Sequence, residues 1–174
     1  MAHFNVCSTL VDEVSLSKAR EAYSDIVSTG RDPLQVMLDM QKSLQVFLAK
    51  NKPFNNQSPD ELKTCGDILK WMRSQDDYLN DETRELYTSL GGMSNGDKEA
   101  SAVWKPWKAR HEEMSKKPFD ELSEADQLEV KFELIDQVHF FMNKLIGLGM
   151  SSEEIFVLYY LKNAENFDRQ SRGY

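Results

Sequence analysis

Apolar residues recur at intervals of three and four along most of this chain, and that spacing limits the possible fold more than any other feature. The segment after Asp32-Pro33 is an example, with apolar residues mostly on one side of a helix. They are Leu34, Met37, Leu38, Leu44, Phe47 and Leu48. Alternating runs of β-branched residues, which are typical of strands, do not occur. The chain is therefore predicted to be all-α, a compact bundle of about six or seven helices, in a single domain over residues 1–174.

N-cap residues and prolines indicate where these helices begin. Asp32-Pro33 is expected to begin one helix, and the capping box Ser58-Pro59-Asp60-Glu61 is expected to begin another. The second of these helices is expected to bury Leu62, Ile68, Leu69 and Trp71 or Met72. The expected helices cover roughly residues 8–28, 32–50, 58–74, 76–90, 123–148 and 151–169, with Ser151 or Ser152 as the cap of the last one. Between the fourth and fifth of these helices, residues 104–117 form a short basic segment that ends at Pro118.

The formal net charge of −8 limits the partners that the chain can have. An acidic surface repels nucleic-acid polymers and anionic membranes, so neither is expected as a partner. No stretch approaches the roughly 20 apolar residues that span a bilayer, and the N-terminus lacks the pattern of a signal peptide. Cys7 and Cys65 lie far apart, which favours a reducing, cytosolic setting. A small anionic substrate can still bind where metal ions lie between it and the acidic groups.

Two pairs of acidic residues are the most informative motif. Glu82 and Glu85 are three residues apart, and so are Glu133 and Asp136, so each pair lies on one face of its helix. If the two helices pack side by side, the carboxylates converge, and their repulsion requires cations between them. Oxygen-only ligands suit Mg²⁺, and two or more such ions are typical of phosphoryl chemistry.

Acidic pairs of this kind are also common on solvated helix surfaces, so either pair alone is ambiguous. The second pair, however, lies in the run KFELIDQVHFFMNKLIGL, which is too apolar for a solvent-facing helix. Carboxylates in such a helix are expected to be half-buried, and a buried charge needs a partner. The sequence therefore predicts a metal site formed by the two pairs.

Further side chains are candidates for binding a substrate next to that site. His139, Phe140 and Asn143 continue the acidic stripe and would form a pocket for a nucleobase, although each also fits a role in the core. In the segment WKPWK, Trp104 would stack on a base and Lys108 would meet a phosphate, or the segment is a surface turn.

The end of the chain carries a third group of candidates. Lys162, Asn166 and Arg169 are four and three residues apart, so they share one face of a helix. They are suited to donating hydrogen bonds to a triphosphate. The alternative is a solvated helix end whose cations lie near the negative end of the helix dipole.

Four motifs in a fixed order carry a resemblance to a known family. ExxE, WKxWK, ELIDxxHFF and KNxxNxxRQxxGY together resemble the dimeric, all-α dUTPases, a branch of the all-α NTP pyrophosphatases that also include MazG-like enzymes. The resemblance covers essentially the whole chain. Segments such as DPLQVMLDMQKSLQ are more similar to a bacteriophage branch that acts on both dCTP and dUTP.

The resemblance implies roles for individual residues. Glu82, Glu85, Glu133 and Asp136 match metal ligands, and Glu82 is expected to orient the attacking water. The residues that match the substrate pocket are Gln41, Trp104, Lys108, His139, Phe140, Asn143, Lys162, Asn166, Arg169 and Tyr174. Gln45 stands where the dimeric dUTPases carry asparagine, and its longer amide would let the pocket accept cytosine as well as uracil.

The resemblance also implies cofactors, partners and a setting. Two or more Mg²⁺ ions are expected, with Mn²⁺ able to replace them, and the chain is expected to form a homodimer. It is expected to work in the cytoplasm of an infected bacterium, where it removes dCTP and dUTP and supplies dCMP and dUMP. Other phage enzymes of nucleotide synthesis are expected as further partners.

Two other functions agree with the same sequence. One is a helical interaction module without catalysis, in which the acidic pairs are ordinary surface. The other is a MazG-like NTP pyrophosphatase that accepts many bases. The extended set of base-pocket residues favours a pyrimidine-specific enzyme over the second alternative.

Overall fold

Helices make up most of the computed structural model of this chain, which describes residues 11–52, 57–91 and 107–173. The six α-helices in these ranges are α1 (Glu13–Ser28), α2 (Pro33–Asn51), α3 (Cys65–Leu90), α4 (Ala109–Lys116), α5 (Glu124–Gly147) and α6 (Ser152–Ser171). Single 3₁₀ turns lie at Pro59–Glu61 and Phe119–Glu121. No strand occurs in the described ranges, so the predicted all-α class is confirmed.

Two of the predicted helix starts are confirmed by their capping bonds. The carboxylate of Asp32 accepts a hydrogen bond from the N–H of Leu34 at 2.9 Å, and Pro33 is the first residue of α2. Ser151 caps α6, where its hydroxyl accepts from the N–H of Glu154 at 3.2 Å.

The end of α5 shows why a glycine follows it. Gly149 has a φ of +71°, a left-handed conformation that other residues rarely adopt. Its N–H donates to the carbonyl of Ile146 at 2.9 Å, and the N–H of Met150 donates to the carbonyl of Leu145 at 3.1 Å. This Schellman motif satisfies the last carbonyl groups of α5.

The expected helix start at Ser58 is wrong. The hydroxyl of Ser58 accepts from the N–H of Asp60 at 3.3 Å, but it caps only a 3₁₀ turn. The capping box of α3 lies further along, where Thr64 Oγ1 accepts from the N–H of Asp67 at 3.1 Å and Asp67 Oδ2 accepts from the N–H of Thr64 at 2.9 Å. Reciprocal bonds satisfy two backbone donors, and so α3 begins at Cys65.

Another expected boundary is also wrong. The break between residues 74 and 76 does not exist, because α3 is continuous over 26 residues. It has no proline, and its only glycine lies in the first turn, so nothing interrupts its backbone hydrogen bonds. The helix expected over residues 8–28 begins at Glu13 within the described residues, which start at residue 11, and Asp12 Oδ1 accepts from the N–H of Ser15 at 2.8 Å.

Contacts divide the chain into two compact units. Unit 1 comprises Met1–Ala22 and Met72–Phe141, and unit 2 comprises Tyr23–Trp71 and Met142–Tyr174. In unit 1, Leu122 and Val130 are buried, and in unit 2 the buried apolar residues include Leu38, Trp71 and Met142. Of the alternatives Trp71 and Met72, Trp71 is the buried residue. The burial expected for Leu69 is wrong, since that side chain is 52% exposed on the opposite side of α3 from Trp71. The single domain stays a prediction.

Helix α6 exposes more large apolar side chains than the surface of a monomeric protein usually does. Its only buried residue is Ser152. The exposed large apolar side chains of α6 are Phe156, Val157, Leu158, Tyr159, Tyr160, Leu161 and Phe167. This helix accordingly presents a wide apolar surface within unit 2.

Crossing a bilayer requires a helix that is both long and strongly apolar. Among the described residues, no helix combines these two properties.

Candidate active site

Three carboxylates from two helices of unit 1 lie close together. Glu82 and Glu85 project from one face of α3, and Glu133 projects from α5. One carboxylate oxygen of each residue can be chosen so that all three lie within 4.8 Å of one another. The structure thus brings together three of the four carboxylates that the sequence singled out.

The surroundings of this carboxylate cluster, Glu82, Glu85 and Glu133, favour the binding of a cation. Glu133 is only 5% exposed, and the other two residues are half-buried. Like charges repel more strongly where water is excluded, and burial penalises each charge further. A cation that binds all three oxygens offsets both effects.

The donor set fits a hard divalent ion. All three groups are carboxylates, which suit Mg²⁺, and among the residues that the structure describes no nitrogen or sulfur ligand joins them. Oxygens on opposite sides of a magnesium ion are about 4 Å apart, since each Mg–O bond is about 2.0–2.1 Å. Small side-chain shifts therefore suffice for Glu82, Glu85 and Glu133 to bind one ion together.

Asp136, the fourth expected ligand, lies outside the carboxylate cluster but interacts with it. Burial raises the pKa of Asp136, and the negative charge of Glu85 also raises it, whereas the electrostatic interaction with His139 lowers it. Burial is the largest of these effects, so the ionised form of Asp136 is disfavoured. A nearby cation would restore the ionised form.

An aromatic pair flanks the carboxylates in unit 1. The rings of Tyr78 and Phe140 have centroids 5.2 Å apart and planes inclined by 35°. Tyr78 precedes Glu82 by one helical turn, and Phe140 follows Asp136 by one turn. Phe140 is half-buried, whereas His139 is exposed. Sequence reasoning missed Tyr78, although its spacing of four from Glu82 mirrors that of Phe140 from Asp136.

A group of buried amides occupies unit 2. Gln41 Nε2 donates a hydrogen bond to Asn143 Oδ1 at 2.9 Å, which joins α2 to α5 across 102 positions of sequence. Gln45 is also buried and lies one turn after Gln41 on α2. Three amides that the resemblance places in the substrate pocket are therefore buried in this unit, and two of them are bonded to each other.

The proposed phosphate-binding residues lie on or near the surface. Lys162 and Asn166 are exposed on α6, Arg169 is half-buried there, and Lys108 is exposed just before α4. Their spacing places Lys162, Asn166 and Arg169 on one face of α6, as expected. Trp104 and Tyr174 lie outside the described residues.

One cavity contains none of the expected site residues. It has a volume of about 480 Å³ and lies in unit 1. Its lining residues are Tyr87, Leu90, Met114, Ser115, Lys117, Phe119 and Leu122. An apolar lining with one lysine offers little for holding a triphosphate, so the carboxylate cluster is the better candidate for chemistry.

Two phage proteins named dCTP pyrophosphatase are similar to this chain over its whole length. The one from Enterobacteria phage LZ5 is 66% identical over 174 residues, and the one from Enterobacteria phage T4 is 57% identical over 174 residues. Both alignments cover 100% of both chains. The chain belongs to the dCTP pyrophosphatase family. The resemblance to a bacteriophage branch, inferred from the motifs, is thereby confirmed.

A segment related to the dCTP pyrophosphatase family also occurs in a longer protein. A DNA replication protein of Enterobacteria phage T4 is 57% identical over 163 residues, which cover 94% of this chain and 41% of that protein. No protein-family model matches the chain. No solved structure matches it either.

Proposed function

We propose that this chain hydrolyses dCTP, and also dUTP, to the nucleoside monophosphate and pyrophosphate in a Mg²⁺-dependent reaction. The observation that carries the proposal is the approach of Glu82, Glu85 and Glu133 to within 4.8 Å. The names of the full-length phage relatives support the choice of dCTP. Asp136 completes the ligand set, since its carboxyl interacts with Glu85.

The four acidic residues serve to hold two or more Mg²⁺ ions, and Mn²⁺ is able to replace them. When bound, Mg²⁺ neutralises charge on the phosphates and lowers the pKa of water. Glu133, the most buried of the four, fixes the site because its carboxylate has little room to move. The half-buried Glu82 keeps contact with solvent, so it is suited to orient the attacking water and accept its proton.

Two groups of side chains bind the rest of the substrate in this proposal. The base and sugar are bound by Gln41, Gln45, Trp104, His139, Phe140 and Asn143. The phosphates are bound by Lys108, Lys162, Asn166, Arg169 and Tyr174. Cationic and amide donors suit phosphate oxygens, and they stabilise the negative charge that grows as pyrophosphate leaves.

The amide of Gln45, one turn after Gln41 on α2, is the basis for accepting both pyrimidines. Cytosine offers an amino donor where uracil offers a carbonyl acceptor. A carboxamide has both a donor and an acceptor, so it can bond to either base according to its orientation. Both side chains are buried, which excludes water that would otherwise compete for the base.

A homodimer is the second part of the proposal. Phe156 and Phe167 of α6 are 66% and 72% exposed, and neighbouring apolar residues of the helix are exposed as well. An apolar surface of this extent favours association with a second copy.

The proposed setting is the cytoplasm of an infected bacterium, where the enzyme lowers the concentrations of dCTP and dUTP and supplies dCMP and dUMP to other phage enzymes.

A substrate panel tests the activity. The purified protein is incubated with each deoxynucleoside and ribonucleoside triphosphate and Mg²⁺, and the monophosphate and pyrophosphate are quantified. We expect turnover of dCTP and dUTP alone. Equal turnover of purine nucleotides would indicate a broad MazG-like enzyme, and no turnover of any pyrimidine triphosphate with Mg²⁺ or Mn²⁺ would end the proposal.

A further inference from the structure

The indole of Trp71 is hydrogen-bonded to the backbone that carries a base-binding amide. Trp71 is 4% exposed, and its Nε1–H donates to the backbone carbonyl of Asn143 at 2.8 Å. A carbonyl oxygen has two lone pairs, so it can accept this bond in addition to one within the helix. Trp71 on α3 thus holds α5 at Asn143, within unit 2.

A glycine on α5 makes this approach of the indole possible. A Cβ atom on Gly147 would lie 2.7 Å from Cδ1 and 2.8 Å from Nε1 of Trp71. Both distances are shorter than real Cβ contacts, so any side chain at Gly147 displaces the indole. Glycine is less favourable than alanine in a helix, and the close approach of Trp71 gives a physical reason for its presence here.

The bond from Trp71 also bears on the orientation of Gln41. The side chain of Asn143 is 1% exposed, and its Oδ1 accepts from Gln41 Nε2 at 2.9 Å. Since the amino end of the Gln41 amide is bonded to Asn143, its carbonyl oxygen is the end that can accept from another group. The three residues form a chain from Trp71 through Asn143 to Gln41.

We propose that Trp71 is a positioning residue for pyrimidine recognition, and that Gly147 allows it to act. Trp71 fixes Asn143, Asn143 orients Gln41, and Gln41 offers its carbonyl oxygen to the amino group of cytosine or the N3–H of uracil. This inference rests on the proposed function, in which Gln41 and Asn143 bind the base. Trp71 itself does not contact the substrate.

Two substitutions and one matched control test the inference. Trp71→Phe removes the N–H and keeps an aromatic ring, and Gly147→Ala displaces the indole. Gly66→Ala is the control, because it adds the same methyl group to a helical glycine with only Thr64 Oγ1 nearby, at 3.6 Å. Steady-state kinetics with dCTP and dUTP give KM, kcat and the ratio of kcat/KM for the two substrates.

We expect Trp71→Phe and Gly147→Ala to raise KM for dCTP about tenfold, the effect of losing one well-placed hydrogen bond. The preference between dCTP and dUTP should change, while kcat and Mg²⁺ affinity should stay close to those of the wild type. Gly66→Ala should match the wild type throughout. If Trp71 had only a structural role, the two variants would lower kcat or the active fraction and leave KM and the substrate preference unchanged. That result would overturn the inference.

The wild-type protein gives an independent test that needs no variant to fold. The indole N–H resonance of Trp71 is followed by NMR during titration with dCMP, the product. We expect slow hydrogen exchange in the free protein and a shift on binding, and no shift would overturn the inference. A wild type that hydrolyses dCTP while these tests fail leaves the proposed function intact, whereas a wild type inactive on all pyrimidine triphosphates overturns that function itself.

Discussion

Glu133 combines deep burial with two neighbouring carboxylates, so its charge is expected to lower stability and to enable metal binding. Glu133→Gln keeps the shape and removes the charge. In EDTA the melting temperature should rise by roughly 2–4 °C, which corresponds to about 1 kcal/mol for a chain of this size. With Mg²⁺, hydrolysis of dCTP should fall at least about 100-fold, as expected for a group essential to metal binding. Thermal melting and initial rates measure the two effects.

Glu113→Gln is the matched control for this prediction. Glu113 is exposed on α4 and lies in the same unit as Glu133. The control should change neither the melting temperature in EDTA nor the rate with Mg²⁺. If Glu133→Gln bound Mg²⁺ as tightly as the wild type, the assignment of Glu133 as a ligand would be wrong.

Asp136 makes the stability of the metal-free protein depend on pH. Its folded pKa is raised above the usual 3.8, mainly by burial. Below pH 3.8 the carboxyl is protonated in both states and has no effect. As the pH rises from 3.8 through the raised folded pKa, the unfolded chain ionises first, so the free energy of unfolding falls. Above the folded pKa the loss of stability is complete.

Asp136→Asn removes this titration and should remove this loss of stability. In EDTA, urea unfolding should give similar free energies for wild type and variant near pH 3. The variant should be the more stable near pH 7. A difference that stays constant between these pH values would contradict the burial of Asp136 as the cause.

At the scale of elements, caps and spacing could be predicted better than helix continuity. Asp32-Pro33 marks a helix start through local bonds, and the sequence was sufficient for it. For the last helix the sequence left Ser151 and Ser152 as alternative caps, and the structure has Ser151. The box at Ser58 has the same local signature but caps only a 3₁₀ turn, since the box at Thr64 begins the helix. Competition between two such signals is decided by the packing of the whole segment.

The candidate site was predictable where it depends on spacing within one helix. The pairs Glu82–Glu85 and Glu133–Asp136 share helix faces for that reason. The chain from Trp71 through Asn143 to Gln41 was not predictable, because it joins residues that are 72 and 102 positions apart. Spacing along the chain carries no information on such contacts, and Trp71 alone predicts only a buried aromatic residue.

The exposed apolar surface of α6 leads to a prediction about assembly. Phe156 and Tyr160 are stacked with ring centroids 6.2 Å apart, and both are largely exposed. Phe156→Glu places a charge in that surface and should convert a dimer to a monomer at micromolar concentration. Gln170→Glu, which adds the same charge at an exposed polar position of α6, should leave the dimer intact. Light scattering coupled to gel filtration distinguishes the outcomes, and a dimeric Phe156→Glu variant would exclude this surface as the interface.

For the whole molecule, a net charge of −8 opposes the binding of a triphosphate. Two explanations of a metal requirement then differ in their response to salt. If divalent ions only neutralised the overall repulsion, about 0.5 M NaCl would replace them, because the screening length falls well below 10 Å. If they are bound between the carboxylate cluster and the phosphates, monovalent salt cannot take their place.

A non-hydrolysable dCTP analogue separates these explanations through its effect on thermal stability. With Mg²⁺ and the analogue at about 100 times its Kd, the folded state should gain about 2.7 kcal/mol and the melting temperature should rise accordingly. In EDTA the analogue should have no effect, with or without NaCl. Stabilisation by the analogue in EDTA at high salt would show that the divalent ions only screen the repulsion between the acidic protein surface and the triphosphate. The carboxylate cluster would then have no role in binding the substrate.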